Sequence, residues 1–253
     1  MIQLPLLHPD DYWFPAPDDA LPDPDGLLAA GGDLSQMRLL HAYMSGIFPW
    51  YQALQPILWW SPSVRALLLP ENLRISRSLR KTLRKNHFTI TADTAFSEVI
   101  RACAAPRSYA DGTWITPEMQ KAYTALHQAG HAHSLEVWAQ GELVGGLYGV
   151  TVGGCYFGES MFSRETDSSK VAFVALVRYL SLRNFALIDC QMMTPHLESL
   201  GATPIARSVY LKKLQKILHA TSRDPHFAPK QWVFHCTETA QLEGGTGNPL
   251  DTH

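Results

Sequence analysis

The chain has 253 residues, 46% of them apolar and 17% charged, with a formal net charge of −2. This is the make-up of a globular protein with a substantial core, long enough for one large domain or two modest ones. It excludes a polybasic body, so any contact with nucleic acid must come from a local patch.

No apolar run approaches the roughly 20 residues needed to cross a bilayer. The opening MIQLPLLHPDDYWFPAP has neither a basic n-region nor a sustained apolar stretch, so no signal peptide is expected and the protein is assigned to the cytoplasm. There the scattered cysteines, Cys103, Cys155, Cys190 and Cys236, are expected as free thiols. No CxxC or HExxH occurs, and the pairs His131/His133 and His235/Cys236 lack complementary ligands nearby. No metal site is expected.

Residues 1–65 are dense in Pro, Gly and Trp and are expected to form a small N-terminal domain. Ser35 predicts the cap of a helix reaching residue 45, which Gly46 ends in the left-handed conformation. Trp50, Trp59 and Trp60 follow in IFPWY and ILWWSP. Two of the three are assigned to a small aromatic core, while an exposed Trp beside Pro49 would be a platform for stacking a base.

LRISRSLRKTLRKNHF is the sharpest electrostatic feature. On a helical wheel Ile75, Leu79 and Leu83 share a narrow arc; Arg77, Arg80, Lys81, Arg84 and Lys85 lie opposite, with Arg74 at the start. Solvated helix faces usually mix signs, yet no acid lies between Asn72 and Ala92. An unmixed basic face on a slightly acidic protein favours a polyanionic partner.

FTITADTAFSEVIRACA predicts a strand and a helix. A second helix is capped by Thr116, with Pro117 at its first position and Gly130 after its end; its stripe of Met119, Ala122, Tyr123 and Leu126 is assigned to the core. HSLEVWA, a QGE turn and LVGGLYGVTV make a hairpin, and CYFGESMF adds a third strand. The Asp167-Ser168-Ser169 cluster starts a helix over residues 170–182, and FALIDCQ follows as a strand. A helix over residues 207–219 presents Tyr210, Leu211, Leu214, Ile217 and Leu218 on one face, and WVFHC is a candidate closing strand. Residues 237–253 show no periodicity and are expected to be a disordered tail. The order predicts an α+β fold with helices packed on a mostly antiparallel sheet, residues 66–236 forming the second domain.

Asp189 and Gln191 sit two apart at the end of a buried strand, and strict alternation puts them on one face. Glu159 follows Gly158 in an otherwise aromatic and apolar strand. Acyl transfer to an amine needs an activated donor, a neutral amine held against its carbonyl, and an acceptor for the amine's proton. Asp189 can orient the Gln191 amide or hold the amine, and the amide oxygen can accept from the attacking nitrogen. Glu159 can pair with a cationic side chain of the acceptor. The plainer alternative is that Asp189 and Glu159 cap loops or pair with Arg164 and Lys170.

The element order resembles an acetyl-CoA-dependent N-acetyltransferase (GNAT-like) fold. Such enzymes hold the donor pyrophosphate on a Gly-rich turn between the central strand and its helix. Here the turn is SRETDSSK, without a glycine. The fold signal survives while the CoA signal fails, and the basic helix points to a donor carried on RNA.

PDGLLAAGGDLS, GIFPWY, PILWWSP, GTWIT, AHSLEVW, ELVGGLYGV, GESMFSR with its trailing SSK, and LIDCQ with HLESLGA span nearly all of residues 14–236. On these motifs the chain is identified as a member of the leucyl/phenylalanyl-tRNA–protein transferase family. The resemblance implies transfer of Leu or Phe, sometimes Met, from tRNA to the α-amino group of proteins beginning with Arg or Lys, marking them for degradation. It implies a small N-terminal domain joined to an acetyltransferase-like domain, with no metal or CoA and no membrane partner. Asp189 and Gln191 match the catalytic pair, and Glu159 a residue near the acceptor's basic side chain. Trp50 and Trp114 match the pair holding the terminal adenosine of the tRNA. Leu147, Tyr156, Met161, Phe173, Leu176 and Ile188 match the lining of the aminoacyl side-chain pocket. Leu147 and Ser168 depart from the family's usual Met and Ala. Arg74, Arg77, Arg80, Lys81, Arg84 and Lys85 would then face the tRNA backbone, and a monomer is expected. The rival readings are a CoA-dependent N-acetyltransferase and a non-enzymatic RNA-binding adaptor.

Overall fold

The strands Ala132–Ala139 and Leu187–Gln191 are buried almost without a break, because one long sheet carries an apolar core on each face. The computed structural model describes residues 4–106, 113–221, 224–236 and 239–242. In chain order its elements are β1 (Leu6–Leu7), β2 (Leu27–Gly31), α1 (Gln36–Met44), β3 (Phe48–Pro49), β4 (Leu58–Trp60) and β5 (Val64–Leu68). Then come α2 (Arg77–Arg84), β6 (Thr89–Ala92), α3 (Phe96–Ala104), α4 (Pro117–Gln128), β7 (Ala132–Ala139), β8 (Glu142–Val152) and β9 (Cys155–Ser163). The chain continues through α5 (Ser168–Leu182), β10 (Leu187–Gln191), α6 (Pro195–Ser199), β11 (Thr203–Ala206), α7 (Arg207–Thr221) and β12 (His235–Cys236). A small sheet has the order β1-β2-β4-β3, and the large one runs β11-β5-β10-β9-β8-β7-β6-β12. In the large sheet β9 and β10 are parallel and the other neighbours antiparallel, so the fold is α+β with mixed sheets.

Helix ends follow from local chemistry. The Ser35 side chain accepts from the Arg38 N–H, and Thr116 does the same for Met119 ahead of Pro117. Each such cap is worth about 1 kcal/mol. Gly46 stops α1 at φ +74°, a conformation that costs glycine nothing. α2 begins at Arg77 under a Ser76 cap, so Arg74 and Ile75 precede it; Leu79 and Leu83 are buried and Ile75 is half-buried. α5 is apolar almost all round, as a helix covered on most sides must be. It starts at Ser168, two residues earlier than expected. Asp167 does not cap it: at φ +66° its carboxylate accepts instead from Lys170 Nζ (2.9 Å) and Thr82 Oγ1 (2.9 Å).

One core cluster joins the sheet side chains Tyr148, Val150, Phe157 and Leu187 to α1, α3, α4, α7 and the small sheet. The opposite cluster joins Leu147, Tyr156 and Ile188 to α2 and α5. Neighbouring strand residues thus serve opposite faces, as period-2 alternation requires. The expected division at residue 65 falls inside β5, and Leu28, Tyr43 and Trp59 of the first segment share a cluster with Tyr123 and Phe157 of the second.

Several expectations change. In WVFHC only His235–Cys236 forms a strand, pairing β6, while Trp232 is buried against Tyr179 and His133. Of the expected tail, Thr239–Leu242 makes a 3-10 turn in which Thr239 Oγ1 donates to the Leu83 carbonyl and Leu242 is buried; the rest of 237–253 lies outside the described residues. Cys103, Cys155 and Cys190 are free thiols. Among the described residues no group of His, Cys, Asp and Glu is arranged to hold a metal, and no helix is long and apolar enough to cross a membrane.

Candidate active site

The parallel pairing of β9 with β10 runs from Leu187 opposite Cys155 to Asp189 opposite Phe157 and ends there. Beyond that point Gly158–Ser163 of β9 and Cys190 and Gln191 of β10 become walls of a cavity of about 820 Å3. Because the strands part, the cavity is lined from both faces of the sheet. Phe48, Trp50, Trp114 and Tyr148 contribute from the side of the small sheet, and Leu147, Tyr156, Phe173, Leu176 and Ile188 from the side of α5.

Two bulges form the neck. On β9, Tyr148 faces Ser160 while Gly149 faces Gly158, so Glu159 is the extra residue. On β10, Leu67 faces Asp189 while Ala66 faces Gln191, so Cys190 is the extra residue, and Gln191 sits at φ +60°. Bulges re-aim side chains at the cost of a ladder bond. Gly149 permits the first: a Cβ there would lie 2.2 Å from the Phe157 carbonyl and 2.5 Å from the Tyr156 hydroxyl.

The second bulge breaks the alternation that would have put Asp189 and Gln191 on one face. Gln191 lines the cavity; Asp189 is wholly covered, at 0% exposure, and does not. The Asp189 carboxylate accepts from Arg65 Nε (2.9 Å) and Nη2 (2.8 Å), Tyr210 Oη (2.7 Å) and the Gln191 backbone N–H (2.8 Å). It therefore holds the Gln191 main chain and not its carboxamide. Arg65 is itself 1% exposed, packs between the rings of Phe48 and Tyr210, and spends Nη1 on the Gly46 carbonyl (3.0 Å). Burial acts most strongly and lowers the Arg65 pKa, but Asp189, Tyr210 and Glu159 together outweigh it and leave it raised.

Glu159 is half-buried at the neck. Its Oε1 accepts from Tyr43 Oη (2.8 Å) and Gln191 Nε2 (2.9 Å), and its Oε2 from Tyr123 Oη (3.0 Å). Burial raises its carboxyl from 4.5 to about 7, with the three donors pulling the other way. The Tyr43 and Tyr123 oxygens lie 2.5 Å apart, so the two phenols share two protons among three contacts, with each other and with Glu159. Burial followed by the Glu159 charge keeps both well above their usual range, hence neutral. The expected structural pairings are not made: Arg164 donates to the Leu143 carbonyl and Lys170 pairs with Asp167.

All six expected side-chain-pocket residues, including Met161, line this one cavity, as do Trp50 and Trp114. Trp59 is buried and Trp60 half-buried, while Trp50 is 37% exposed with its ring 5.5 Å from that of Trp60. Arg74, Arg77, Arg80, Lys81, Arg84 and Lys85 are all exposed, and none lines the cavity. The residues that sequence reasoning missed are Arg65, Tyr43 and the hydroxyls of Tyr123 and Tyr210, Tyr123 having been read as core and Tyr210 as part of one helix face. A buried arginine in VRALL was the one available signal, because an unpaired interior charge demands a carboxylate.

An α+β scaffold in which a single cavity brings a carboxylate and a carboxamide between aromatic and aliphatic walls has the parts that an acyl-transferring enzyme needs. The family profile described as leucyl/phenylalanyl-tRNA protein transferase matches residues 67–215, and its N-terminal-domain profile matches residues 32–63. A leucyl/phenylalanyl-tRNA–protein transferase of Stutzerimonas stutzeri is 60% identical over 83% of this chain and 93% of its own length. One from Chromobacterium violaceum is 53% identical over 92% and 97%. The chain belongs to the leucyl/phenylalanyl-tRNA–protein transferase family. Among solved structures, L-PGS from Bacillus licheniformis aligns at TM-score 0.37 and 10% identity over 64% of this chain and 52% of that one, too slight a likeness to bear on fold or function.

Proposed function

We propose that this enzyme transfers Leu or Phe, and less readily Met, from the 3′ end of its tRNA to the α-amino group of proteins that begin with Arg or Lys, creating a degradation signal. The observation that carries the reading is a single cavity whose walls hold Trp50 and Trp114, the six aliphatic and aromatic side chains Leu147, Tyr156, Met161, Phe173, Leu176 and Ile188, and the polar pair Glu159 and Gln191. The two indoles clasp the terminal adenosine, whose stacking on an aromatic contributes about 1–3 kcal/mol. The aminoacyl side chain enters the apolar chamber, where shape rejects branching at Cβ. Such discrimination is worth about 1–3 kcal/mol per methylene.

In the transfer step the amine attacks the ester carbonyl, and the 3′ oxygen of the tRNA leaves. The Gln191 side chain spends its nitrogen on Glu159, and among the described residues its oxygen has no protein partner, so it is available to an N–H of the amine. Asp189, fully covered, acts by holding the Gln191 main chain in its bulge, a positioning role. Glu159 faces the incoming N-terminus of the acceptor. The exposed basic residues 74–85 follow the tRNA backbone.

The parallel pair β9–β10 joined through α5 supports an acetyltransferase-like layout for residues 66–236, with residues 1–65 as the smaller domain that supplies Trp50. The turn from β9 into α5, residues 163–168, has no glycine to bring its backbone onto a pyrophosphate, which favours aminoacyl-tRNA over acetyl-CoA as donor. The enzyme works in the cytoplasm as a monomer without cofactor. Leu-tRNA and purified protein are expected to label a peptide beginning with Arg and to spare one beginning with Asp. Failure with the Arg peptide, with both partners intact, would refute the reading.

A further inference from the structure

Resting on that transfer reading, we propose that Glu159 is the catalytic base that takes the proton of the attacking amine. Glu159 sits in the bulge of β9, lines the cavity, and accepts from the Gln191 carboxamide. A neutral amine has two N–H groups, so it can donate one to the Gln191 oxygen and one to Glu159. A carboxylate has about four acceptor positions. Gln191 and the two phenols, which share two protons among three contacts, fill at most three of them, which leaves at least one on Oε2 for the substrate.

The surroundings suit a base better than a reader of positive charge. The groups around Glu159 are Tyr43 on α1, Tyr123 on α4, Tyr148 on β8, Tyr156 on β9, Asp189 and Gln191 on β10, and Arg65 on β5. Burial, the largest cause, and then the Glu159 charge hold all four phenols well above their usual range, so they stay neutral. The Arg65 guanidinium is committed to Asp189 and Gly46. The carboxylate thus receives only neutral donors, and burial carries its carboxyl to about 7, where it can both take and return a proton under working conditions.

The step balances without a further reactant. The amine nitrogen bonds to the ester carbonyl carbon as its proton passes to Oε2 of Glu159. The carbon–oxygen bond to the 3′ oxygen then breaks, and that oxygen takes the proton back from the Glu159 carboxylic acid. An amide and a free 3′ hydroxyl result, and the carboxylate is restored.

The test is the kcat and KM of Glu159→Gln over pH 5.5–9, with saturating Leu-tRNA and two Arg peptides whose α-amines differ in pKa. The wild-type kcat is expected to fall below about pH 7 for both peptides alike, since Glu159 must be ionised. The variant is expected to lose about 10²–10⁴-fold in kcat with peptide KM unchanged, and to lose that acid limb. A raised KM on Arg peptides with kcat kept would assign Glu159 to reading the acceptor's cation and overturn the proposal, as would full activity. Tyr123→Phe, which removes one donor from the carboxylate, gives an independent check should the first variant misfold: the limb is expected to move to higher pH, and an unmoved limb would overturn the proposal. Wild-type transfer with no effect at Glu159 defeats only this inference, whereas absence of wild-type transfer defeats the reading beneath it.

Discussion

Replacing Asp189 by Ala strips Arg65 of its carboxylate partner in a place water does not reach. In the wild type the guanidinium gives Nε and Nη2 to Asp189 at 2.9 and 2.8 Å, and the pair is 1% and 0% exposed. Afterwards the charge keeps only the Gly46 carbonyl and the flanking rings of Phe48 and Tyr210, and the Tyr210 hydroxyl and Gln191 N–H lose their acceptor. Breaking a buried pair in this way costs about 3–5 kcal/mol. For a chain of this size that corresponds to a fall in Tm of roughly 10 °C. Urea unfolding followed by tryptophan fluorescence measures it. Pairing the change with Arg65→Met removes the orphaned charge, and the double variant is expected to recover most of the loss, because apolar side chains of similar volume replace buried ion pairs well. Transfer activity is expected to stay low in both, since neither supplies an acceptor for the Gln191 main chain. A single variant that loses less than about 1 kcal/mol and keeps its activity would refute the idea that this pair holds the bulge.

Three further outcomes follow from the structure. Arg80→Ala with Lys81→Ala is expected to weaken tRNA binding and to lower the slope of log K against log salt by about 1–2 units, as two lost phosphate contacts require; an unchanged slope would assign this face to solvent. Leu176→Ala enlarges the apolar chamber, so the ratio of Phe to Leu transfer in a competition assay is expected to rise by up to about tenfold, within the 1–3 kcal/mol that a methylene or two commands. Glu159 carries its proton to about pH 7 in the folded chain against 4.5 ordinarily, so its contribution to stability is full below 4.5 and lost as pH rises through 7. Glu159→Gln escapes that loss, and its stability relative to wild type is expected to grow by about 3 kcal/mol between pH 4.5 and 8; a difference that does not change with pH would contradict the perturbed carboxyl.

Much of the framework is legible in the chain because its signals are local. Ser35 and Thr116 cap the helices that follow them, and Gly46 adopts the backbone that ends one. HSLEVWA and LVGGLYGVTV pair as the expected hairpin. Strands of two residues, such as Leu6–Leu7 and Phe48–Pro49, carry no period to detect, so the small sheet was not foreseen. Gln191 and Glu159 stood out as polar residues in apolar strands, but the bulges that aim them did not. A bulge depends on what the neighbouring strand allows, here the bare Gly149 beside Phe157. For the same reason strict alternation did not foresee that Cys190 is an extra residue between Asp189 and Gln191. Arg65 was overlooked because its carboxylate lies 124 positions away, a distance only the fold closes.

The most direct measurement is a transfer assay that crosses Leu-, Phe-, Met-, Ile- and Val-tRNA with peptides beginning with Arg, Lys or Asp. The proposed adenosine clasp and side-chain chamber predict product with Leu and Phe, less with Met, little with Ile or Val, and only on the Arg and Lys peptides. Equal use of Ile- and Leu-tRNA, or transfer to the Asp peptide, would contradict the account at the pocket or at the acceptor site respectively.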